Sequence, residues 1–140
     1  MNVSRKRKVG LVAIIVCVFL ICTEILVIAR VLPFDIIGGG RLPDYKIAVI
    51  LALVSIMGQL LLIFCILAAS GFFSKAGLVK FAQFTLKVFT VYLVVNIVLN
   101  IMGKTWFERV AASILCLIQI ICFVIIIRDR GKNCLIKETE

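Results

Sequence analysis

Four long apolar runs divide the chain, and the stretches between them hold most of its charged residues. A helix needs roughly 20 mostly apolar residues to cross the hydrocarbon core of a bilayer, and the runs at about residues 9–29, 47–69, 81–102 and 106–127 meet that length. Each run is continuously apolar and does not alternate, which predicts helices and excludes the strands of a membrane barrel. The second and third connections are short and predict neighbouring hairpins. The expected fold is therefore all-α: an integral membrane four-helix bundle with antiparallel up-down topology. It forms one transmembrane domain over residues 1–140, whose longest loop covers 30–46.

Composition supports the pattern. Of 140 residues, 64% are hydrophobic and 16% charged, whereas a soluble domain carries about 45–50% and about 25%. A water-soluble enzyme, a disordered tail and a disulfide-rich secreted domain are excluded on that ground. The net charge is +9. The cations flank apolar runs, so the basic balance reads as orientation and contact with anionic lipid headgroups rather than with nucleic acid. Arg5, Lys6, Arg7, Lys8, Lys75, Lys80, Arg128, Arg130, Lys132 and Lys137 fall on one side; Arg30, Arg41, Lys46, Lys104 and Arg109 fall on the other. This bias places both termini in the cytoplasm. Tyr45 and Trp106 fall at the outer boundary, where such rings anchor, and Phe72, Phe73, Phe81 and Phe84 fall near the inner one. The first run is longer than a signal-peptide core and lacks a small-x-small cleavage site, so it is expected to remain as a helix.

Small and polar residues at helical spacing should mark the faces that meet inside the bundle, because lipid gives helices no hydrophobic reason to associate. Such stripes occur in every run: Gly10, Ala13, Cys17 and Glu24; Ala48, Ala52, Ser55 and Gln59, with Gly58 beside them; Thr85, Phe89, Tyr92, Asn96 and Asn100; Glu108, Ala112 and Gln119. The opposite face of the third run carries Lys80, Gln83, Lys87 and Thr90, and Lys87 is expected to extend toward the inner headgroups. At about 1.5 Å per residue, Glu24 and Asn96 lie roughly 7–9 Å below the outer boundary, and Gln59 and Gln119 roughly 18–20 Å below it. Two polar layers follow. The outer one holds Glu24, Asn96 and Asn100, with Ser55 slightly deeper. The lower one is an expected interhelical pair, Gln59 with Gln119, since two amides satisfy each other.

Glu24 is the one acid well inside a run, and an intramembrane ionisable group is a functional candidate by default. It would serve as a proton site or ligand anchor; the structural alternative is a hydrogen bond to Asn96 or a pairing with a nearby arginine. Asn96 and Asn100 share a face and, with Tyr92, could coordinate a polar ligand; the alternative is helix–helix hydrogen bonding. Gly38, Gly39, Gly40 and Arg41 form a second candidate. Consecutive glycines expose backbone N–H groups that can cradle an anion or a partner's carboxylate, with Arg41 adding charge, although the same glycines also suit a plain linker.

Of the six cysteines, Cys17, Cys22, Cys65, Cys116 and Cys122 lie inside runs and Cys134 follows the last. No C-x-x-C pair occurs, and small apolar packing is their expected role. There is no His, no nucleophile–base arrangement and no metal-ligand cluster, so neither an enzyme nor a metal or cofactor site is expected.

The segments Ile36-Ile37-Gly38-Gly39-Gly40-Arg41-Leu42 and Asn100 to Arg109 (N-I-M-G-K-T-W-F-E-R) resemble those of a group of small, uncharacterised four-span bacterial membrane proteins. The resemblance covers the layout, with only these two stretches specific. It implies a bacterial inner membrane and a shared outer-face site, and no activity. Small multidrug resistance transporters also have four short helices and a glutamate in the first. There the glutamate sits near mid-helix, whereas Glu24 is displaced outward and that family's motifs are missing.

The sequence thus predicts a multi-pass, non-enzymatic membrane protein: an accessory subunit or a binder of a small ligand or lipid. A small proton-coupled transporter using Glu24 is the alternative. Expected partners are the lipid bilayer and either a membrane protein or further copies of the chain, and not nucleic acid.

Overall fold

The computed structural model describes residues 3–34, 42–73, 75–102 and 108–137, and those residues contain four long helices and no strand. The helices are α1 (Val3–Ile28), α2 (Tyr45–Ala69), α3 (Ala76–Ile101) and α4 (Ser113–Lys137), the last preceded by a π-helical turn at Glu108–Ala112. All four are long and apolar enough to cross a membrane. This is compatible with the multi-pass protein that the apolar runs predict. α1 starts ahead of the predicted Val9, because the Arg5–Lys8 run is made of good helix formers that extend the first apolar turn.

The helix ends follow local chemistry. Asp44 caps α2: its backbone is extended, and its side chain accepts from Lys46 N at 3.4 Å. α2 stops at a Schellman-type end. Gly71 takes φ 90° and Phe72 N bonds back to Leu67 O at 3.2 Å. α1 ends the same way without a glycine. Val31 N bonds to Leu26 O at 2.9 Å and Arg30 N to Val27 O at 3.0 Å, while Arg30 itself takes φ 59°. Its guanidinium lies 4.4 Å from the centroid of the Tyr45 ring, and the Tyr45 hydroxyl donates to Ile28 O. Phe34 meets the same ring edge-on at 6.5 Å. Tyr45 thereby fastens the end of α1 to the start of α2.

The helices form a ring in which α1 packs on α2 and α4, and α3 packs on α2 and α4. α1 and α3 face each other diagonally, as do α2 and α4. At one end of the ring the start of α1 meets the end of α2. Gly10 lies against Ser70 and Ile66, and Arg7 donates to Gly71 O at 3.5 Å with its guanidinium 5.0 Å from the Phe72 ring. We call this the basic end, since Lys75, Lys80 and Arg128 also belong to it. At the other end the start of α4 meets the end of α3.

Packing differs between the two halves. The largest fully buried side chains are Phe123, Leu62, Ile66, Leu86 and Ile126, which gather in the half toward the basic end with Ala13, Cys65, Ala68, Ala69 and Ala82. The other half is built around small and polar side chains: Ala48 and Ala52 are buried, and Glu24, Ser55, Asn96, Asn100 and Ser113 are half-buried. The outward faces are apolar. Leu11, Ile15, Ile50, Val54, Val91 and Val98 are all exposed, as expected for side chains that face lipid.

Candidate functional site

The polar half contains two groups of side chains. On α1 and α2, the Ser55 hydroxyl lies beside the Glu24 carboxyl, while Glu24 Oε2 is buried and has no hydrogen-bond partner. On α3 and α4, Asn96 Nδ2 donates to Cys116 Sγ at 3.6 Å, and Asn100 Nδ2 reaches the same sulfur at 4.0 Å. One thiol therefore receives two amides spaced one helical turn apart, and sulfur is a weak acceptor for both. Among the described residues no hydrogen bond joins the two groups, so Asn96 does not satisfy Glu24.

Tyr92 departs from the expected cluster. It is 57% exposed and its ring packs edge-on against Phe89 at 6.0 Å, while the next residue, Leu93, takes the buried place. A position only one residue off the inward stripe is rotated by about 100°, enough to turn a side chain from the bundle to the surrounding lipid.

The expected Gln59–Gln119 pair does not form. Gln119 Nε2 donates to Cys17 Sγ at 3.1 Å, and both Gln59 Oε1 and Gln119 Oε1 are buried without partners. The physical reason is the helix order. Gln59 on α2 and Gln119 on α4 belong to diagonal helices, whereas Cys17 lies on α1, which packs directly against α4. Ser113 Oγ is a further buried oxygen without a partner, at the junction between the π-helical turn and α4. Short π segments inside helices occur often at functional sites.

Three residues that carry polar contacts here were not expected to. Cys17 and Cys116 accept from amides, Cys65 lies beside the Thr85 hydroxyl, and none of the three serves only as apolar filling. The signal was present as spacing: Ser113, Cys116 and Gln119 recur every three residues along one face of the last helix. No disulfide forms among the described residues, and no three His, Cys, Asp or Glu side chains among them converge to hold a metal ion. The Gly38, Gly39, Gly40 and Arg41 stretch and Trp106 lie outside the described residues.

Apart from Ser70 Oγ at the basic end and the donor Gln83 Nε2 on the opposite flank of α3, the unpartnered atoms have a common character. Glu24 Oε2, Gln59 Oε1 and Gln119 Oε1 are acceptors, and Ser113 Oγ can accept. A buried polar atom left without a partner costs about 1–3 kcal/mol. The interior of the polar half is thus short of donors. Comparison of the chain with protein-family models, with characterised proteins and with solved structures found no match.

Proposed function

We propose that this protein is a non-enzymatic, multi-pass protein of a cell membrane that binds a small donor-bearing ligand, such as a primary ammonium or guanidinium compound, within the polar half of its bundle. The observation that carries this reading is Glu24: an acid inside a span, beside Ser55, with one carboxyl oxygen buried and unpartnered. A cation supplies both the charge and the N–H groups that Glu24 Oε2, Gln59 Oε1 and Gln119 Oε1 lack. The excess of Lys and Arg at the basic end supports up-down antiparallel helices with both termini in the cytoplasm. The resemblance of the 36–42 and 100–109 stretches supports a bacterial inner membrane, where a membrane-protein partner or further copies of the chain would complete the assembly. Nothing in the chain calls for nucleic acid.

Thermal unfolding in phosphatidylcholine nanodiscs, against a panel of primary ammonium and guanidinium salts, tests the reading. The expected result is a saturable stabilisation by at least one compound that Glu24→Gln abolishes. Stabilisation of equal size in both proteins, or none across the panel, overturns it.

A second reading, proton-coupled transport, is favoured by the same carboxyl being the one acid well inside a span. It expects pH-gradient-driven flux in liposomes that Glu24→Gln removes; equal flux with the substitution contradicts it.

A further inference from the structure

The second polar flank of α3 takes no part in the candidate site. Lys80, Gln83, Lys87 and Thr90 recur there at helical spacing. Lys80 and Lys87 are exposed. Thr90 Oγ1 donates to Leu86 O of its own helix at 2.7 Å, so it draws on nothing in α4. Gln83, one turn from Lys87, has a buried Nε2 donor with no partner. Beside this flank runs an open groove of about 420 Å³ between α3 and α4, lined by Lys87, Thr90, Val124, Ile127 and Arg128. That volume falls within the range of small-molecule sites, about 300–1,000 Å³.

The composition of the groove selects its occupant. Val124 and Ile127 give it an apolar wall facing the lipid side of the bundle. The aliphatic stems of Lys87 and Arg128, from different helices, border it, and among the described residues neither cation forms a hydrogen bond or ion pair, so both charged ends are free to reach a headgroup at its mouth. A lone cation displaced into the apolar part of a span is unfavourable unless an anion or water meets it. An occupant that satisfies both features has an anionic head and an apolar tail. Basic pockets between transmembrane helices on the cytoplasmic side suit such headgroups.

We propose that this groove holds one anionic phospholipid, with its phosphate between Lys87 and Arg128 and an acyl chain along Val124 and Ile127. The proposal rests on reading the chain as a membrane protein and is independent of any ligand at Glu24. The two cations set headgroup selectivity, and the apolar wall sets the need for a chain.

The test is native mass spectrometry of the full chain released from detergent, titrated separately with phosphatidylglycerol and with phosphatidylcholine of matched acyl chains. The wild-type protein is expected to retain one phosphatidylglycerol in preference to phosphatidylcholine. Cations near a membrane surface contribute about fivefold each, so Lys87→Gln should weaken retention about fivefold and Lys87→Ala/Arg128→Ala about thirtyfold. Val124→Trp fills the groove without touching either cation and should also displace the lipid. Lys46→Ala, at the far end of the bundle, should leave retention unchanged. Should the double variant fail to fold, Lys87→Gln and Val124→Trp carry the test. Equal retention of both lipids, undiminished retention of phosphatidylglycerol by a folded Lys87→Gln or Val124→Trp variant, displacement by equimolar inorganic phosphate, or a second protein copy in place of the lipid would each overturn the proposal.

Discussion

At Gly10 a missing side chain lets α1 approach α2. A Cβ there would overlap Ser70 Oγ and come within 3.2 Å of Ser70 Cβ. Gly10→Ala is therefore expected to lower stability by about 1–3 kcal/mol through overpacking. Ser70 Oγ is itself buried without a partner, so Ser70→Ala alone should be neutral or mildly stabilising. Combined with Gly10→Ala it should recover part of the loss. Thermal unfolding of the two single variants and the double variant checks this, and strictly additive effects would contradict the contact. Arg30 supplies a second case. Its left-handed backbone costs a non-glycine residue about 1–2 kcal/mol, and stacking on Tyr45 offsets part of that. Arg30→Ala keeps the strain and loses the stacking, whereas Arg30→Gly loses both. The glycine variant should therefore melt higher than the alanine variant, and the reverse order would contradict this account. Gly10 was legible in the sequence as part of a small-residue stripe. Arg30 was not, since nothing local marks an arginine for a position that glycine normally fills.

Among the elements, the connection from α1 to α2 depends on two adjacent residues, the Asp44 cap and the Tyr45 clasp. Tyr45→Phe removes the bond to Ile28 O but keeps the ring against Arg30 and Phe34. The expected loss is about 1 kcal/mol in thermal unfolding, with a larger loss for Tyr45→Ala; no loss for Tyr45→Phe would show that the hydroxyl contributes nothing, and equal losses that the ring does not. Helix existence was legible throughout, because length and apolarity alone specify it. The two flanks of α3 were harder to read, because both carry polar residues. Helical spacing grouped Tyr92 with Asn96 and Asn100, yet the burial of Leu93 turns Tyr92 outward. The π-helical turn before α4 also gave no sign, since the spacing of apolar residues through Glu108–Ala112 marks no break from an ordinary helical turn.

In the molecule as a whole, each neighbouring pair of helices is joined by a polar contact in addition to packing. Glu24 and Ser55 join α1 to α2, Cys65 and Thr85 join α2 to α3, Asn96, Asn100 and Cys116 join α3 to α4, and Cys17 and Gln119 join α1 to α4. Cys116→Val should cost more than a volume change alone, because it leaves two amides without their acceptor. Interhelical polar contacts of this kind average about 0.6 kcal/mol each. A double-mutant cycle with Asn96→Leu should show coupling, and none would contradict the shared-sulfur geometry. Residue depth along each span shows that Glu24, Ser55, Asn96 and Asn100 fall toward the same end of the bundle. The order of the helices around the ring could not be read from it, because depth says nothing of which helices are diagonal, and this is why Gln59 and Gln119 each lack the partner that depth alone suggested.

The central claim is that the Glu24 carboxyl receives a donor-bearing ligand inside the polar half. Infrared difference spectroscopy of the protein in phosphatidylcholine nanodiscs, with glutamate carboxyls isotope-labelled, reads that group directly. Addition of the stabilising ammonium or guanidinium compound is expected to shift one glutamate carboxyl band, and Glu24→Gln is expected to remove that change. A ligand-induced difference spectrum that is the same in both proteins would contradict the account.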